Sequence, residues 1–431
     1  MKKANKQADE SIVTQTVVVG DCRGPDAFRP ASLRPELTRA GGLPTVSQLL
    51  FNPLCSMFRA PTTLAPVSDA TRHLPEYLTL HEIVKRARQR LSHDDWDYII
   101  GGTETEVGVK RNRLALDSLG FRPRILRDVS RIDAGTQFLG RRLRLPVVLA
   151  PVGSLELFSP EGAADSARAA HTFGVAHMLS SVCQPGIEGV AQAAPDALRT
   201  YQLYVHGDAG WIDERIERCM AAGYSAFCFT VDSAVYSRRE RDQAKRNIRR
   251  NVVPGREMQV FFNWKDIERI RAKYTIPLAL KGVDTAADAQ LALDHGIDMI
   301  YVSNHGGRQL DHCLGSMAVL PEIVDVVKKR IPVIVDGGIN RGSDLVKAMA
   351  AGADMVGLGR MQCLALAAAG EAGVVRMLEI LEHEVVTCMG LLGVNHWSEL
   401  DRSYITAAPP IDTPHTLSAF PLLSLEDQSF Y

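Results

Sequence analysis

The chain has 431 residues, of which 46% are hydrophobic and 23% are charged, and its formal net charge is −1. A protein of this composition can bury a large core, and with so little net charge it has no global field to attract nucleic acid. The apolar stretches are far shorter than the roughly 20 residues of a membrane span. We therefore expect that the protein does not bind nucleic acid and has no membrane-spanning segment.

The N-terminus and the cysteines indicate the cellular setting. Lys2, Lys3 and Lys6 are followed by acidic and polar residues where a signal peptide would need an apolar run, so a cytoplasmic location is expected. The cysteines are scattered, without a C-x-x-C pair or a His-rich neighbourhood, and we expect reduced thiols and no metal site. They are Cys22, Cys55, Cys183, Cys219, Cys228, Cys313, Cys363 and Cys388.

Three regions follow one another along the chain. Residues 1–75 carry Pro and Gly at irregular intervals without periodicity, which predicts a poorly structured extension. Packing of this extension against the barrel or against a partner subunit is the alternative. Residues 76–405 form the predicted main domain, which opens with a helix at 79–91, and residues 406–431 form a C-terminal tail.

Eight short apolar runs within the main domain predict strands, at 146–150, 176–179, 200–205, 226–231, 277–280, 299–302, 332–335 and 355–358. Helical patterns lie between them, for example at 162–173, 213–222, 286–295, 320–329 and 343–351. This alternation predicts an α/β fold, a (β/α)8 TIM barrel with an N-terminal helical extension. A doubly wound open sheet is the alternative architecture.

Polar residues follow the predicted strands, and in a barrel they would all meet at one mouth. The connection from Arg238 to about Phe262 is too long for an ordinary strand-to-helix loop and predicts a flexible lid. Glycines at 337–338 and 357–359 follow the last two strands, where barrels commonly bind phosphate, and Arg360 adds a cation. Simple turns are the alternative explanation of these glycines.

Charged residues at the other strand ends indicate a redox site. Lys281 would bring a buried cation to the mouth. Its charge would be neutralised by a flavin that becomes anionic on reduction, or by a nearby carboxylate. His305 can take a proton from an alcohol, and Arg308, three residues on, can hold a carboxylate. A base beside a carboxylate anchor suits a hydroxy acid, with Asp232 to orient the base.

Several motifs together resemble the FMN-dependent 2-hydroxy-acid oxidases and dehydrogenases, which include glycolate oxidase, lactate oxidase, lactate monooxygenase and mandelate dehydrogenase. The resemblance runs from about residue 74 to about residue 405. Its most specific part is VSNHGGRQLD at 302–311, and it is supported by FRPR at 121–124, QLY at 202–204, TVD at 230–232 and RRERD at 238–242.

This resemblance implies oxidation of an (S)-2-hydroxy acid to the 2-oxo acid, with FMN reoxidised by oxygen or another acceptor, in a homo-oligomer. His305 is implied as the base, with Asp232, Tyr98 and Tyr204 as further catalytic residues. The implied substrate contacts are Tyr98, Tyr204, Arg239, His305 and Arg308. The implied FMN contacts are Pro151, Val152, Gly153, Ser180, Gln202, Thr230, Lys281, Ser303, Asp336, Gly337, Gly338, Asn340, Arg341, Gly359 and Arg360.

Three departures from the family pattern bear on cofactor and substrate. Asn340 stands where the family carries a phosphate-contacting arginine, which leaves Arg341 or Arg360 to compensate. Val182 replaces a bulky aromatic residue found in some short-chain enzymes, and the lid is short, so we expect a larger or aromatic substrate. Gly153 lies in a segment that resembles lactate monooxygenase and bears on oxygen access.

Two further functions remain open at this stage. The chain would be an FMN-dependent tailoring enzyme if its substrate were a larger metabolite or a peptide. It would be a flavin-binding protein without turnover if the changes at Asn340 and after Asp232 had removed activity. An NAD-dependent enzyme is less favoured because no G-x-G-x-x-G motif follows an N-terminal strand.

Overall fold

The centre of the molecule is a closed barrel of eight parallel strands. In the computed structural model the chain is described at residues 76–246 and 255–423. The barrel strands are β4 (Val147–Leu149), β5 (Ala176–Ser180), β6 (Arg199–Leu203), β7 (Phe227–Thr230), β8 (Leu278–Val283), β9 (Met299–Val302), β10 (Val333–Val335) and β11 (Met355–Leu358). Each strand pairs with the next, and β11 pairs with β4, so the sheet has no free edge. The predicted (β/α)8 barrel is confirmed, and the open-sheet alternative is wrong.

Three helices precede the barrel and form the predicted N-terminal helical extension. They are α1 (Leu80–Arg90), α2 (His93–Ile100) and α3 (Val107–Asp117). α1 begins at Thr79, whose side chain accepts a hydrogen bond from the Glu82 backbone while the Glu82 carboxylate binds the Thr79 backbone. This reciprocal cap satisfies amide groups that the first turn would otherwise leave unpaired. α1 buries Leu80, Ile83 and Val84 against the core.

The remaining nine helices of the described residues all follow β4, the first barrel strand, in the sequence. They are α4 (Ala163–Phe173), α5 (Ile187–Ala193), α6 (Ala209–Ala221), α7 (Glu240–Ala244), α8 (Trp264–Lys273), α9 (Ala286–Asp294), α10 (Ser316–Val327), α11 (Gly342–Ala351) and α12 (Arg360–Leu392). α12 bends at Ala369 and Gly370, whose backbone angles are not helical. Two short antiparallel pairs complete the fold: β1 (Leu119–Phe121) with β12 (Ile405–Ala407), and β2 (Thr136–Phe138) with β3 (Arg141–Leu143).

The interior of the barrel is filled by side chains from alternate strand positions. Val148, Met178, Cys228 and Tyr301 are among the members of this interior cluster, and each is at most 3% exposed. The intervening positions, such as Val147 and Leu149, belong to the larger cluster between strands and helices. Because the barrel is packed rather than open, a ligand site has to lie at its mouth.

The strand predictions agree with the structure within two residues at nearly every end, and 299–302 and 355–358 agree residue for residue. Of the lid prediction, residues 247–254 lie outside the described residues, and a short 3-10 helix, Arg256–Phe261, follows them. The predicted extension at 1–75 also lies outside the described residues. Six cysteines fall within the described part of the chain, and all six are free thiols. None of the helices in that part has both the length and the apolar character needed to cross a bilayer.

Candidate active site

A cavity of about 390 Å³ lies at the carboxyl ends of the barrel strands. Most of the residues predicted to form the site line it, since parallel strands bring their ends together. These are Tyr98, Pro151, Val152, Gly153, Tyr204, Arg239, Lys281, His305, Arg308, Asp336, Gly337, Gly338, Asn340, Gly359 and Arg360. The structure therefore assembles the site from the first helical region and from nearly every strand end.

His305 lies between a carboxylate and a phenol. Its Nδ1 is 2.9 Å from Asp232 Oδ1, and its Nε2 is 3.2 Å from the Tyr204 hydroxyl. Burial lowers the pKa of His305 below its ordinary value of 6.5, an effect that the nearby Asp232 opposes only in part. The imidazole is therefore neutral at neutral pH, with Nδ1–H donating to Asp232 and the lone pair on Nε2.

Asp232 is ionised in this arrangement. Burial raises its pKa, but attraction to His305 and Lys281 outweighs burial, so the pKa lies below the ordinary value. An ionised carboxylate behind Nδ1 fixes the tautomer of the ring and would stabilise the imidazolium that forms when Nε2 takes a proton. The pair is thus arranged as a base and its orienting group.

The backbone at His305 is unusual and is held by its neighbours. His305 has φ +59°, a left-handed conformation that residues with a side chain rarely adopt. Its N–H donates to Ser303 Oγ at 3.0 Å, and Gly306 and Gly307 continue with positive φ. Such backbone strain persists only where the surroundings hold it, and it turns the imidazole towards the cavity.

Two arginines lie beside His305. Arg308 is held in place by backbone carbonyls, with Nη1 donating to Tyr98 O at 2.6 Å and to Gly101 O at 3.0 Å, and its guanidinium lies 4.8 Å from the centre of the Tyr98 ring. Burial and the neighbouring cation Arg239 lower the pKa of Arg308. Arg239 stacks on the Tyr236 ring at 4.9 Å, and its buried Nε has no hydrogen-bond partner. Two cations that repel each other, one with a free donor, form a site for an anion.

Lys281 is part of a buried polar chain. Its ammonium donates to Ser303 Oγ at 2.8 Å and lies 3.3 Å from Asp336 Oδ2, and Ser303 in turn donates to Asp336 Oδ1 at 2.6 Å. Burial lowers the pKa of Lys281, but Asp336 and Asp232 more than offset it, so the pKa lies above its ordinary value. Lys281 therefore presents a fixed positive charge to the cavity.

Polar side chains of strands β5 to β7 lie beneath the cavity and fit a flavin. Ser180 donates to Gln202 Oε1 at 2.9 Å, while Gln202 Nε2 and Thr230 Oγ1 are buried without a hydrogen-bond partner. Buried polar atoms of this kind normally bind something, and one edge of a flavin ring presents several donors and acceptors. These residues, together with Lys281, could therefore hold the flavin ring of the FMN that the family resemblance implies.

The part of the cavity lined by residues that follow β10 and β11, which we call the phosphate end, fits a phosphate. Gly337 has φ +111°, and a Cβ there would lie 2.8 Å from Asn112 Oδ1, so only glycine fits. Arg360 donates only to backbone carbonyls among its hydrogen bonds, those of Ile99, Gly101 and Gly306. Burial and the nearby Arg308 lower the pKa of Arg360 to about 10, so it remains charged. A cation with glycine backbone beside it, after the seventh and eighth barrel strands, suits an anionic group.

Five predicted cofactor residues do not line this cavity, namely Ser180, Gln202, Thr230, Ser303 and Arg341. Of these, Arg341 is turned away by its own contacts. Its guanidinium pairs with Glu384 on α12 at 2.5 Å and donates to Ala419 O at 3.3 Å. Because this ion pair turns the side chain away from the mouth, Arg341 does not compensate directly for the arginine that Asn340 replaces. Asn340 itself does line the cavity.

Sequence reasoning missed several lining residues. Asn112 and Arg113 both lie on α3. The Asn112 side chain exchanges two hydrogen bonds with the Asn304 side chain, and Arg113 forms an ion pair with Asp344. His206 and Tyr236 follow β6 and β7, and Thr416 comes from the chain end. None of the motifs or patterns used to predict the site includes Asn112, Arg113 or Thr416.

The comparisons with known proteins agree with this geometry. Residues 87–407 match the FMN-dependent dehydrogenase family. Glycolate oxidase 3 of Arabidopsis thaliana is 37% identical to this chain, over an alignment that covers 80% of this chain and 99% of the relative. 2-Hydroxyacid oxidase 2 of Homo sapiens is 36% identical, over 76% of this chain and 97% of the relative. The crystal structure of mandelate oxidase with (S)-2-phenylpropionate superposes with a TM-score of 0.71 at 35% identity, covering 78% of this chain and all of the other. The chain therefore belongs to the FMN-dependent dehydrogenase family, and it is an FMN enzyme of the 2-hydroxy-acid oxidase and dehydrogenase class.

Proposed function

We propose that this protein oxidises an (S)-2-hydroxy acid with a bulky or aromatic side chain to the 2-oxo acid, with His305 as the general base. The observation that carries this proposal is the neutral His305, which has Asp232 on Nδ1 and faces the cavity with Nε2 beside Arg239 and Arg308. A base next to two cations matches a substrate that bears an alcohol next to a carboxylate.

Substrate binding rests on the two arginines. The free Nε of Arg239 and the guanidinium of Arg308 would grip the carboxylate by charge-assisted hydrogen bonds, which are stronger and more directional than neutral ones. The carboxylate in turn would relieve the repulsion between the two guanidinium groups. The alcohol carbon is then placed within reach of His305 and the Tyr204 hydroxyl.

Proton transfer rests on His305 and Asp232. Nε2 takes the proton of the 2-hydroxyl, and the ionised Asp232 stabilises the imidazolium across the 2.9 Å contact to Nδ1. The Tyr204 hydroxyl, now within 3.2 Å of Nε2, is placed to shift its hydrogen bond to the substrate oxygen. A bound FMN supplies a two-electron acceptor for the Cα hydrogen.

The size of the substrate is proposed from the wall of the cavity near Gly153. A Cβ at Gly153 would lie 2.7 Å from Val182 Cγ2, so a larger residue at position 153 would displace this aliphatic side chain. Tyr236 and His206 line the same cavity, and His206 stacks on Tyr204 with ring centres 6.3 Å apart. Aliphatic and aromatic walls favour an apolar substrate side chain, and the similarity to mandelate oxidase supports this choice.

Anaerobic reduction of the bound flavin tests both parts of the proposal. The purified holoenzyme is mixed with both enantiomers of mandelate and lactate and with glycolate, and loss of the visible flavin absorbance is followed. We expect the (S)-aromatic acid to reduce the flavin faster than lactate or glycolate. Equal rates for all acids would contradict the proposed side-chain preference, and absence of reduction by any of them would contradict the reaction.

The acceptor and the assembly are proposed on the resemblance alone. We infer that oxygen or another acceptor reoxidises the flavin in a homo-oligomer. The cytoplasmic location is proposed separately, because acidic and polar residues follow Lys2, Lys3 and Lys6 where a signal peptide would need an apolar run. Mixing the reduced enzyme with oxygen or with a quinone analogue distinguishes the acceptors, sedimentation of the purified protein measures the assembly, and fractionation of cells tests the location.

A further inference from the structure

A segment after the family-matched region returns to the cavity. The match to the FMN-dependent dehydrogenase family ends at residue 407, where β12 also ends. The structure describes the chain onward to residue 423, and Thr416 in this segment lines the cavity. We call residues 408–423 the C-terminal strap.

The strap is anchored at Thr416 and at two residues that follow it. Phe420 is 2% exposed, and its ring meets His81 of α1 edge-on with centres 5.6 Å apart. Arg341 donates to Ala419 O at 3.3 Å, and Thr416 Oγ1 donates to Ile100 O at 3.2 Å. A buried aromatic ring and hydrogen bonds at two points hold the strap in one place over the mouth.

Thr416 meets the position where this chain departs from its family. Asn340 Nδ2 donates to Thr416 O at 3.4 Å, and both residues line the cavity at the phosphate end beside Gly338. An amide nitrogen carries two hydrogens, so Asn340 can bind Thr416 O and still offer a donor to a ligand. The hydroxyl of Thr416, which donates to Ile100 O in this structure, is a second group that can donate to a phosphate if it turns from that carbonyl.

The charge at this end explains a need for such donors. A phosphate monoester carries about −1.5 to −2 charges at neutral pH. Arg113 also lines this end, but it is paired with Asp344 at 2.7 Å and with Asp117 at 2.6 Å. Arg360 is thus the lining arginine of the described phosphate end without a carboxylate partner among its hydrogen bonds.

We propose that the C-terminal strap is part of the FMN phosphate site in this protein. Asn340 and Thr416, held together by their hydrogen bond, supply neutral donors to the phosphate in place of the family arginine. The strap also covers this end of the cavity and slows FMN release. The proposal rests on the cofactor and is independent of the substrate.

Flavin affinity measured without substrate tests the proposal. Apoprotein prepared from the holoenzyme is titrated with FMN and with riboflavin, which lacks the phosphate, and quenching of flavin fluorescence reports binding. We expect Thr416→Val to weaken FMN about five- to tenfold and to leave riboflavin unchanged, since only FMN offers the charged acceptor. Thr413→Val is the matched control, because Thr413 is exposed on the same strap, and it should change neither affinity.

A chain that ends after Ala408 gives the larger effect. We expect it to weaken FMN at least about tenfold, to release FMN faster from the holoenzyme, and to weaken riboflavin much less. Adding Asn340→Arg to the shortened chain should recover most of the FMN affinity. Equal losses for FMN and riboflavin, unchanged FMN affinity in Thr416→Val, or no recovery with Asn340→Arg would each overturn the proposal.

Discussion

The two ends of the cavity handle charge in different ways. At the base end, formed by His305, Asp232, Arg239 and Arg308, His305 and Asp232 are 2.9 Å apart before any ligand binds, and the charge of Arg239 lowers the pKa of Arg308. At the phosphate end, Arg360 contacts carbonyl oxygens, and neutral groups of Asn340 and Thr416 complete the wall. The base end is preorganised by ionised side chains, whereas the phosphate end depends on backbone, one cation and a segment from the chain terminus.

This difference separates the expected consequences of substitution. Changes at the base end should alter the rate of the reaction in protein that still holds flavin. Changes at the phosphate end should alter flavin retention and leave the reaction of loaded enzyme nearly intact. The predictions below test this separation.

Asp232→Asn should give the largest effect on rate. The amide has nearly the shape of the carboxylate, but it no longer stabilises the imidazolium or selects the Nδ1–H tautomer. We expect kcat/KM to fall about 10²- to 10⁴-fold, with FMN affinity within about twofold of the parent. Steady-state kinetics and flavin titration measure the two quantities. A large loss of flavin with a normal rate in the reloaded enzyme would break the proposed separation.

Arg360→Gln and Arg341→Gln compare a cation in the cavity with one outside it. Loss of Arg360 should weaken FMN about 10- to 100-fold, because a charge-assisted contact to the phosphate disappears. Arg341→Gln removes the pair with Glu384 and the hydrogen bond to Ala419 O but no lining group. It should change FMN affinity less than about threefold, because Phe420 and Thr416 still anchor the strap. Fluorescence titration of both apoproteins decides. Equal weakening would show that Arg341 also acts at the phosphate end.

Arg239→Gln and Arg238→Gln form an adjacent pair at the base end. Arg239 lines the cavity, whereas the side chain of Arg238 is 67% exposed and lies near Glu240. We expect Arg239→Gln to raise KM for a 2-hydroxy acid about tenfold, through loss of a carboxylate contact. Arg238→Gln should leave KM within about twofold. A similar rise in both variants would remove Arg239 from the proposed substrate site.

The pH profile should show the smallest effect. Because burial holds the pKa of His305 below 6.5, the base stays unprotonated down to that lower pKa. The logarithm of kcat/KM should therefore be level near neutral pH and fall only below pH 6.5. In Asp232→Asn the fall should move to still lower pH, since the carboxylate no longer raises the pKa of His305. A fall centred above pH 6.5 in the parent enzyme would contradict this assignment.

The barrel and the base end could be predicted because their residues lie in, or directly after, strands that the sequence pattern indicates. Short apolar runs such as 299–302 form buried strands of the barrel. The residues that follow parallel strands then meet at one face of the barrel. His305 and Asp232, 73 residues apart, therefore meet through the geometry of the barrel.

The phosphate end was less predictable because some of its contacts are made by residues that do not follow a barrel strand. Arg341 is adjacent to the expected site, but Glu384, 43 residues later on α12, binds it and turns it away. Thr416 reaches the cavity through Phe420, which packs on α1 more than 300 residues earlier in the chain. No periodicity or motif in the sequence predicts such contacts.

The most direct test of the account is anaerobic flavin reduction in His305→Asn. The variant should bind FMN as tightly as the parent, because His305 lies at the base end and its loss leaves Lys281 and Arg360 in place. After rapid mixing with an (S)-2-hydroxy acid, we expect the flavin to be reduced at least about 10²-fold more slowly than in the parent. Reduction at the parental rate in FMN-loaded His305→Asn would contradict the central claim that His305 is the base.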